Sequence, residues 1–529
     1  MGVRTGQEYI EGLRDGRHIY VNGELIRDVT AYPPYQGVIR ELASLYDRQH
    51  DPAYADRLTC PSPTSGEPVS TSFVLPQTSA EIEQRVSGER ARCELTYGLM
   101  GRLPDFMNAF VTDMAAIREV LSRREARFGD NAWQYYELCR EKDLCLTHTL
   151  VDPQIDRSQG VEAQNALRIV RETDAGLMVS GARMLSTLAP ISDELWVGPY
   201  MPRKPGEDAY AFSFSVSMAA PGLKFICREP FDLGRSAFDR PLSSRFDEGD
   251  AVAIFDDVRV PWERVFAAGD VEIYNLIAPA APGFMILQAV IRGTVKLRFF
   301  AGLACLVAQA VGRTEMPRYQ EMLGELIGNV ELAEGLLTAT AQQVLYNATH
   351  PFGHQEGAGR SSATTPGVIP GLGTLFGTPG RGMVGVTAVR LFFPPAMAQA
   401  VDTIRMMGSS GLLMTPTEKD FANPDLQDIL PQYFRGRDMS AKDRVRVMKL
   451  AWDAVSTQFG GRQALYERFF AGDPISARML YYGTERREEC TALVQHLLDS
   501  LKTKIYNQQE EASITSVHSP FPNAPKGQS

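Results

Sequence analysis

The spacing of apolar positions along the chain changes twice, and the two changes mark out three segments. Residues 1 to about 75 carry little sustained period and are rich in turn formers, which predicts a segment that wraps around other elements. Within it, Tyr20-Val-Asn-Gly23 predicts a small hairpin, because Asn-Gly tolerates the positive backbone angles of such a turn. From Ser79 charged and apolar residues mix at helix spacing, and Ser79-Ala-Glu-Ile-Glu83 offers a capping serine followed by acids. Two glycines and a proline interrupt the pattern in Leu95-Thr-Tyr-Gly-Leu-Met-Gly-Arg-Leu-Pro-Asp-Phe106, a break that lets the backbone approach a ligand and presents Arg102 to it; the alternative is an interhelix corner with a solvated arginine. Helical spacing resumes through Met114, Ile117 and Val120, and again from Trp133 to Lys142.

Past residue 147 the period becomes two. Leu167-Arg-Ile-Val170 and the run from Leu177 to Leu185 flank Asp174-Ala-Gly176, a hairpin signal. Phe212-Ser-Phe-Ser-Val-Ser217 alternates apolar with polar at every step and predicts a strand with one buried face. Leu223-Lys-Phe-Ile-Cys227 and Ala251-Val-Ala-Ile-Phe255 add two more strands. Strands in series without intervening helices predict an antiparallel barrel or sandwich.

After about residue 276 the period returns to that of a helix. Ile291, Val295, Phe299 and Leu303 recur every fourth position, joined by Leu306 and Val307. Leu323, Leu326, Ile327, Val330, Ala333 and Leu337 repeat the arrangement, and Ser440 caps a helix striped by Val445, Met448, Trp452 and Val455. Long helices in sequence predict a bundle. The insert from His354 to Gly385, crowded with Gly, Pro, Ser and Thr, reads either as a lid over the pocket mouth or as a solvated surface excursion. The fold class expected is therefore α+β. Residues 1–146 form a mainly helical domain and 147–275 a β domain. Residues 276–529 form a helical bundle with a Gly/Pro-rich loop near 354–385.

Composition narrows the class of protein. Over 529 residues, 44% are apolar and 22% charged, as in soluble globular chains. A formal net charge of -10 argues against nucleic acid as the main partner, since phosphates demand basic patches. The strongly apolar run from Phe299 to Val311 is too short to span a bilayer, so no membrane is expected. Met1-Gly-Val-Arg-Thr-Gly6 has no signal pattern and lacks the hydroxyl residue that myristoylation requires. Seven cysteines without CxxC pairs read as reduced thiols, and the expected location is cytoplasmic. His350 and His354 are separated by Pro351-Phe-Gly353, which denies them one helix face, so no metal site is expected.

Candidate chemistry concentrates where the period first changes, in Leu146-Thr-His-Thr-Leu-Val-Asp-Pro-Gln-Ile-Asp-Arg-Ser158. His148 can titrate near neutrality, and Thr147 and Thr149 flank it with hydroxyls. Gln154, Asp156 and Arg157 then supply an amide, an anion and a planar cation. The alternative reading of this stretch is a polar connector between domains.

Four stretches taken together carry a family resemblance. They are Tyr97-Gly-Leu-Met-Gly-Arg-Leu-Pro-Asp-Phe106, Thr147-His-Thr-Leu-Val-Asp-Pro-Gln-Ile-Asp-Arg157, Phe255-Asp-Asp-Val-Arg-Val-Pro-Trp-Glu-Arg-Val-Phe266 and Phe459-Gly-Gly-Arg-Gln463. In this order they resemble the oxygenase components of the 4-hydroxyphenylacetate 3-monooxygenase and chlorophenol monooxygenase family, which share the acyl-CoA dehydrogenase-like fold. The resemblance implies a two-component aromatic hydroxylase. A separate NAD(P)H-dependent flavin reductase would supply reduced FAD, dioxygen would be the co-substrate, and a flavin hydroperoxide would oxidise a phenol beside its hydroxyl. It also implies a homotetramer.

Residue by residue, the resemblance implies that Arg102 stabilises negative charge near the flavin and that His148 engages the substrate hydroxyl and assists its deprotonation. It gives Thr149, Gln154, Ile155, Asp156, Arg157 and Thr187, with Phe459, Gly460, Gly461 and Arg462, to the cofactor. Two positions depart from the pattern. Phe106 stands where 4-hydroxyphenylacetate enzymes carry a tyrosine, and Gln288 is the polar group nearest the place of a histidine in chlorophenol relatives. Phe106 and Gln288 are thus the expected substrate contacts, and their chemistry points to a larger or less acidic ring, such as an intermediate of secondary metabolism. The rival classes are an acyl-CoA dehydrogenase-like oxidoreductase, a dehydratase of the 4-hydroxybutyryl-CoA type and a non-catalytic member of the fold.

Overall fold

The structure is a computed structural model that describes residues 2–156, 158–350 and 384–515. Met1–Ala477 forms one compact unit and Arg478–Ser529 a second. The insert read as a lid or a surface excursion lies outside the described residues except for Val384 and Gly385, which open the short helix Val384–Thr387.

The first strands come from the N-terminal segment. β1 (His18–Val21) and β2 (Glu24–Ile26) form the hairpin that Asn-Gly demands, with φ of 51° at Asn22 and 82° at Gly23. A second small hairpin pairs β3 (Thr59–Pro61) with β4 (Pro68–Ser70). Helix α1 (Ser79–Leu95) starts one residue earlier in its capping than the pattern suggested. Thr78 accepts from the amide of Glu81, whose side chain returns to the Thr78 backbone, so the capping box belongs to Thr78 rather than Ser79. Helix α2 (Pro104–Ala116) begins on a proline, whose missing N–H would be unpaired there anyway. Helix α3 (Ala126–Lys142) then leads into β5 (Leu146–Thr149).

The remaining strands are β6 (Arg168–Thr173), β7 (Gly176–Thr187), β8 (Glu194–Val197), β9 (Phe212–Ser217), β10 (Leu223–Cys227), β11 (Asp250–Pro261) and β12 (Val265–Ala268). They form a six-stranded sheet in the order β2-β1-β10-β11-β7-β6 and a four-stranded sheet in the order β12-β9-β8-β5. Most neighbours are antiparallel, as serial strands require, but β1 lies parallel to β10 and β5 parallel to β8. β1 comes from the N-terminal segment of little sustained period, and β5 from the point where the period changes, so the pattern alone could not pair either strand. β9 also departs from expectation, since Ser213 and Ser215 are as buried as Phe212 and Phe214. Helix α3 covers the serine face: Ser215 meets the Tyr135 hydroxyl at 2.6 Å and donates to Glu194 at 3.0 Å.

Helix α4 (Phe284–Ala310) is the spine of the C-terminal half and packs against α5 (Pro317–Thr349) and α6 (Phe393–Gly408). Buried Asp113 caps it by accepting from the amides of Gly283, Phe284 and Met285 at 2.9, 2.9 and 3.0 Å. Two members of the expected apolar stripes, Leu306 and Ile327, face outward instead, 43% and 50% exposed. The segment Val384–Gly408 is long and apolar enough to cross a membrane by composition, yet 56% of its apolar window is buried against the rest of the fold. It is an interior helix. Helix α7 (Ala441–Val455) takes the expected cap from Ser440, and α8 (Gln458–Phe469) follows with Thr457 as its cap.

A buried ionic anchor ties α8 to α4. Glu467 on α8 accepts from Arg292 Nη1 at 2.6 Å and Nη2 at 3.1 Å, and from Lys296 Nζ at 2.7 Å. All three side chains are nearly inaccessible. The same groups hold the turn before α2, since Arg292 donates to the Gly98 carbonyl at 3.3 Å and Gln463 Nε2 to that of Leu99 at 2.9 Å. Gly98 has φ +66° and lies so close to α4 that a β-carbon would sit 2.7 Å from the Arg292 carbonyl. Glycine is required there. Burial alone would raise the Glu467 pKa, but the charges of Arg292 and Lys296 outweigh it and hold the carboxyl at about 2.

Glu467→Gln is expected to cost about 3–5 kcal/mol in chemical unfolding at neutral pH, because two buried cations lose their anion. A carboxyl held below its ordinary value stabilises the fold above that ordinary value and loses the effect as pH falls through the folded one. Wild-type stability should therefore drop between pH 4.5 and about 2, and the variant should show a shallower drop. Identical acid profiles for the two proteins would remove the anchor from the account of stability.

Candidate active site

The turn held by the anchor carries Arg102. Its backbone amide donates to Glu248 Oε1 at 2.6 Å, and its guanidinium lies over the ring of Phe106 at 4.2 Å, with Tyr466 at 5.4 Å. Nη1 donates to the Gly101 carbonyl at 3.0 Å and to the hydroxyl of Tyr466. Nε donates to His148 Nε2 at 2.7 Å. Arg102 is only 6% exposed and lines a cavity rather than the open surface.

His148 sits on β5, and the flanking hydroxyls serve the sheet. Thr147 donates to the Thr187 carbonyl and Thr149 to that of Met184 at 3.3 Å, which ties β5 to β7. An arginine stays protonated, so the nitrogen that receives its N–H must be bare. The contact therefore places the imidazole proton of His148 on Nδ1, which is buried and has no partner among the described residues. Burial first, and the Arg102 charge second, push the His148 pKa well below the usual imidazole value. The imidazole is therefore neutral in the folded protein.

Arg102 and His148 line a cavity of about 700 Å³, a size typical of small-molecule sites. Its walls are mainly apolar, with Leu150, Met184, Leu185, Ile226, Leu465 and Phe469 among them. The polar residues of the wall cluster on one side. Asp250 accepts from Arg462 Nη2 at 2.9 Å, Arg228 Nε at 2.8 Å and Thr187 Oγ1 at 2.7 Å. Burial opposes ionisation of Asp250, but the two arginines prevail and hold it well below the usual carboxylate range. Arg462 also donates to Glu248 Oε2 at 2.9 Å, so Glu248 bridges Arg102 and Arg462.

Of the residues singled out from sequence, the structure thus brings Arg102, His148, Thr187 and Arg462 into one cavity wall. Phe106 lies behind Arg102, with its ring 5.8 Å from that of His148. Gln288 does not line the cavity: it is fully buried and donates to Asp105 at 3.3 Å, because its helix face points into the packing between α1, α2 and α4. Gln154, Ile155 and Asp156 lie on a turn where Gln164 Oε1 accepts the amides of Ile155 and Asp156 at 3.0 and 3.2 Å, and none of the three lines the cavity. Arg157 lies outside the described residues. Phe459 is buried, and Gly460 is demanded by packing, since a β-carbon there would stand 2.8 Å from the Ala454 carbonyl. Gly461 has open space beside it.

Tyr466, Glu248, Asp250 and Arg228 escaped the sequence reading. Tyr466 follows Arg462 by four residues, which places both on one helix face, and that spacing could have flagged it. The acidic run Asp247-Glu-Gly-Asp250 just ahead of β11 was the available signal for the other side.

A flavin ring fits this cavity on the structure's own terms. Aliphatic and aromatic side chains offer surface to a planar apolar group, and the Arg102 and Arg462 side chains stand in the same wall. Comparison with known proteins agrees. The family model for the 4-hydroxyphenylacetate 3-hydroxylase N terminal matches residues 5–267, and that for the C terminal matches residues 280–348 and 382–499. The 4-hydroxyphenylacetate 3-monooxygenase oxygenase component of Geobacillus sp. (strain PA-9) is 35% identical over 95% of this chain and 98% of its own. The (3S)-3-amino-3-(3-chloro-4-hydroxyphenyl)propanoyl-[peptidyl-carrier protein SgcC2] monooxygenase of Streptomyces globisporus is 33% identical, over 90% of this chain and 86% of its own. A crystal structure of the oxygenase component of 4-hydroxyphenylacetate 3-monooxygenase, complexed with FAD and 4-hydroxyphenylacetate, superposes with a TM-score of 0.82 at 34% identity, covering 94% of this chain and 99% of that one. The chain belongs to the 4-hydroxyphenylacetate 3-hydroxylase family, the flavin-dependent aromatic monooxygenases with an acyl-CoA dehydrogenase-like fold.

Proposed function

We propose that this chain is the oxygenase component of a two-component monooxygenase that hydroxylates a phenol beside its hydroxyl group. A separate NAD(P)H-dependent reductase delivers the reduced FAD. The observation that carries the reading is the Arg102–His148 pair set into the wall of an otherwise apolar cavity. When bound, reduced FAD supplies the electrons that activate dioxygen for transfer to the ring. Thr187 and Arg462 in the wall, with the open flank of Gly461, are the side of the cavity that holds the cofactor. Gln154, Ile155 and Asp156, with Thr149, Phe459 and Gly460, stand outside the cavity wall and complete the cofactor set only as the family resemblance implies.

The protein's own residues do the rest. The ring oxygen is placed against the Arg102–His148 pair, where the Arg102 charge stabilises the phenolate left when the phenol releases its proton to solvent. The charge acts beside mainly apolar walls, where it is screened less than in water. Phenolate character raises electron density at the neighbouring carbon, where oxygen is to be inserted. Phe106 backs the pair with a ring face and no hydroxyl.

Among the described residues lining the cavity, Arg228 and Arg462 are each paired with carboxylates, whereas the Arg102 guanidinium has none. Among the described residues of the wall, no further cation is left to meet an acidic side chain on the substrate. A neutral, larger phenol, of the kind found in secondary metabolism, suits these walls better than 4-hydroxyphenylacetate.

Mass spectrometry of products from a phenol panel, given reduced FAD and oxygen, is expected to show one added oxygen. His148→Ala should slow product formation ~100- to 1,000-fold, as for loss of a preorganised donor, and divert reducing equivalents into hydrogen peroxide. Arg102→Ala should raise peroxide release even without substrate. Wild-type coupling in both variants would sink the assignment. The rate should show no step near pH 6.5 from His148, whose folded-state pKa lies well below that value.

Two physical measurements test the class. Anaerobic titration should find reduced FAD bound more tightly than oxidised FAD; equal affinities would contradict a flavin that diffuses between two components. Light scattering should report a homotetramer, and a monomer at working concentration would overturn that expectation.

A further inference from the structure

A guanidinium beside a cavity swings towards water unless its donors are engaged. Arg102 is engaged on two sides. Glu248 holds its backbone, and its Nη1 is held by the Gly101 carbonyl and by the hydroxyl of Tyr466. Phe106 contributes a ring face alone, so Tyr466 is the side chain that fixes Nη1.

Tyr466 has little freedom of its own. The next residue, Glu467, is locked to Arg292 and Lys296, and the Tyr466 ring stacks on Phe470 with centroids 5.0 Å apart and planes 7° apart. Its hydroxyl donates to the Gly101 carbonyl at 3.3 Å. A β-carbon at Gly101 would stand 2.4 Å from the Tyr466 ring, so the turn and the ring are fitted to each other. With Nη1 pinned there, Nε points at His148 Nε2.

We propose that Tyr466 is a positioning residue: it holds the Arg102 guanidinium on His148 Nε2 and so fixes the imidazole in its Nδ1–H form. Its importance for turnover rests on the proposed function, but the positioning itself does not. Without the hydroxyl, Nη1 keeps only the Gly101 carbonyl, and the hold of Arg102 on Nε2 loosens. The imidazole then shifts towards its Nε2–H form, with Nδ1 left as an acceptor.

The test uses full-length protein labelled with 15N-histidine, with the His148 signals assigned by their loss in His148→Gln. Two-bond 15N–1H spectra at pH 7.5 distinguish the two neutral forms. Wild-type His148 is expected to carry its proton on Nδ1, and Tyr466→Phe, which keeps the ring and its stacking, to shift it towards Nε2, as Arg102→Ala should. Product per reduced FAD should fall roughly tenfold in Tyr466→Phe, the scale of one lost hydrogen bond, with unchanged thermal unfolding. An Nε2–H wild type overturns the proposal without any variant, and so does a Tyr466→Phe spectrum identical to that of wild type. A shifted spectrum in a protein that oxidises no phenol would uphold the positioning and refute the monooxygenase reading.

Discussion

The arrangement around the cavity depends on one buried carboxylate. Glu467 brings Arg292 and Lys296 together at the face of α4 where α8 and the turn before α2 both dock. Charges taken out of water are costly, and they persist inside a fold only when partners and hydrogen bonds are complete. That condition links three segments far apart in the chain. α8 cannot shift along α4 without leaving two cations unanswered, and the turn at Gly98 and Leu99 cannot lift away without losing its bonds to Arg292 and Gln463. Arg102 at the end of that turn, and Arg462 and Tyr466 on α8, inherit their positions from this docking.

The cavity itself follows a consistent electrostatic plan. On one side Asp250 and Glu248 neutralise Arg228 and Arg462, which stiffens the wall while leaving little net charge. On the other, Arg102 meets only neutral partners at its guanidinium: an imidazole, a phenol hydroxyl and a carbonyl. Its field is therefore directed into apolar space, where an unscreened charge acts most strongly. Burial and that same charge keep His148 neutral. A doubly cationic pair at this place would bind anions indiscriminately; a cation beside a neutral donor favours a developing oxyanion on an otherwise apolar ring.

Close backbone approach is what allows so many groups to converge. Gly98 against α4 and Gly101 against the Tyr466 ring each occupy spaces that a β-carbon would fill. These glycines are structural devices of the active site although neither touches the cavity. They let a turn carry a guanidinium to the meeting point of β5, β11 and α8.

Local chemistry in the sequence determined much of this. Asn22-Gly23 specifies its hairpin, Ser440 its helix cap, and the alternating runs at 223–227 and 251–255 their strands, because each depends on neighbours a few residues away. The motifs around Arg102, His148 and Arg462, read through their resemblance to a family, also named three of the residues that the fold brings to one cavity. What the chain could not disclose alone were contacts closed over long separations. Whether a serine face of β9 is wet or covered depends on α3 lying over it, and whether β1 or β5 joins a sheet depends on partners some 200 and 50 residues away. Tyr466, Glu248 and Asp250 belong to the same class, for their roles exist only once α8 docks against the turn and the sheet. The proton on Nδ1 of His148 is the clearest instance. Residue type makes an imidazole available as base or donor alike, and the tertiary contact with Arg102, 46 positions earlier, decides which nitrogen is left to act.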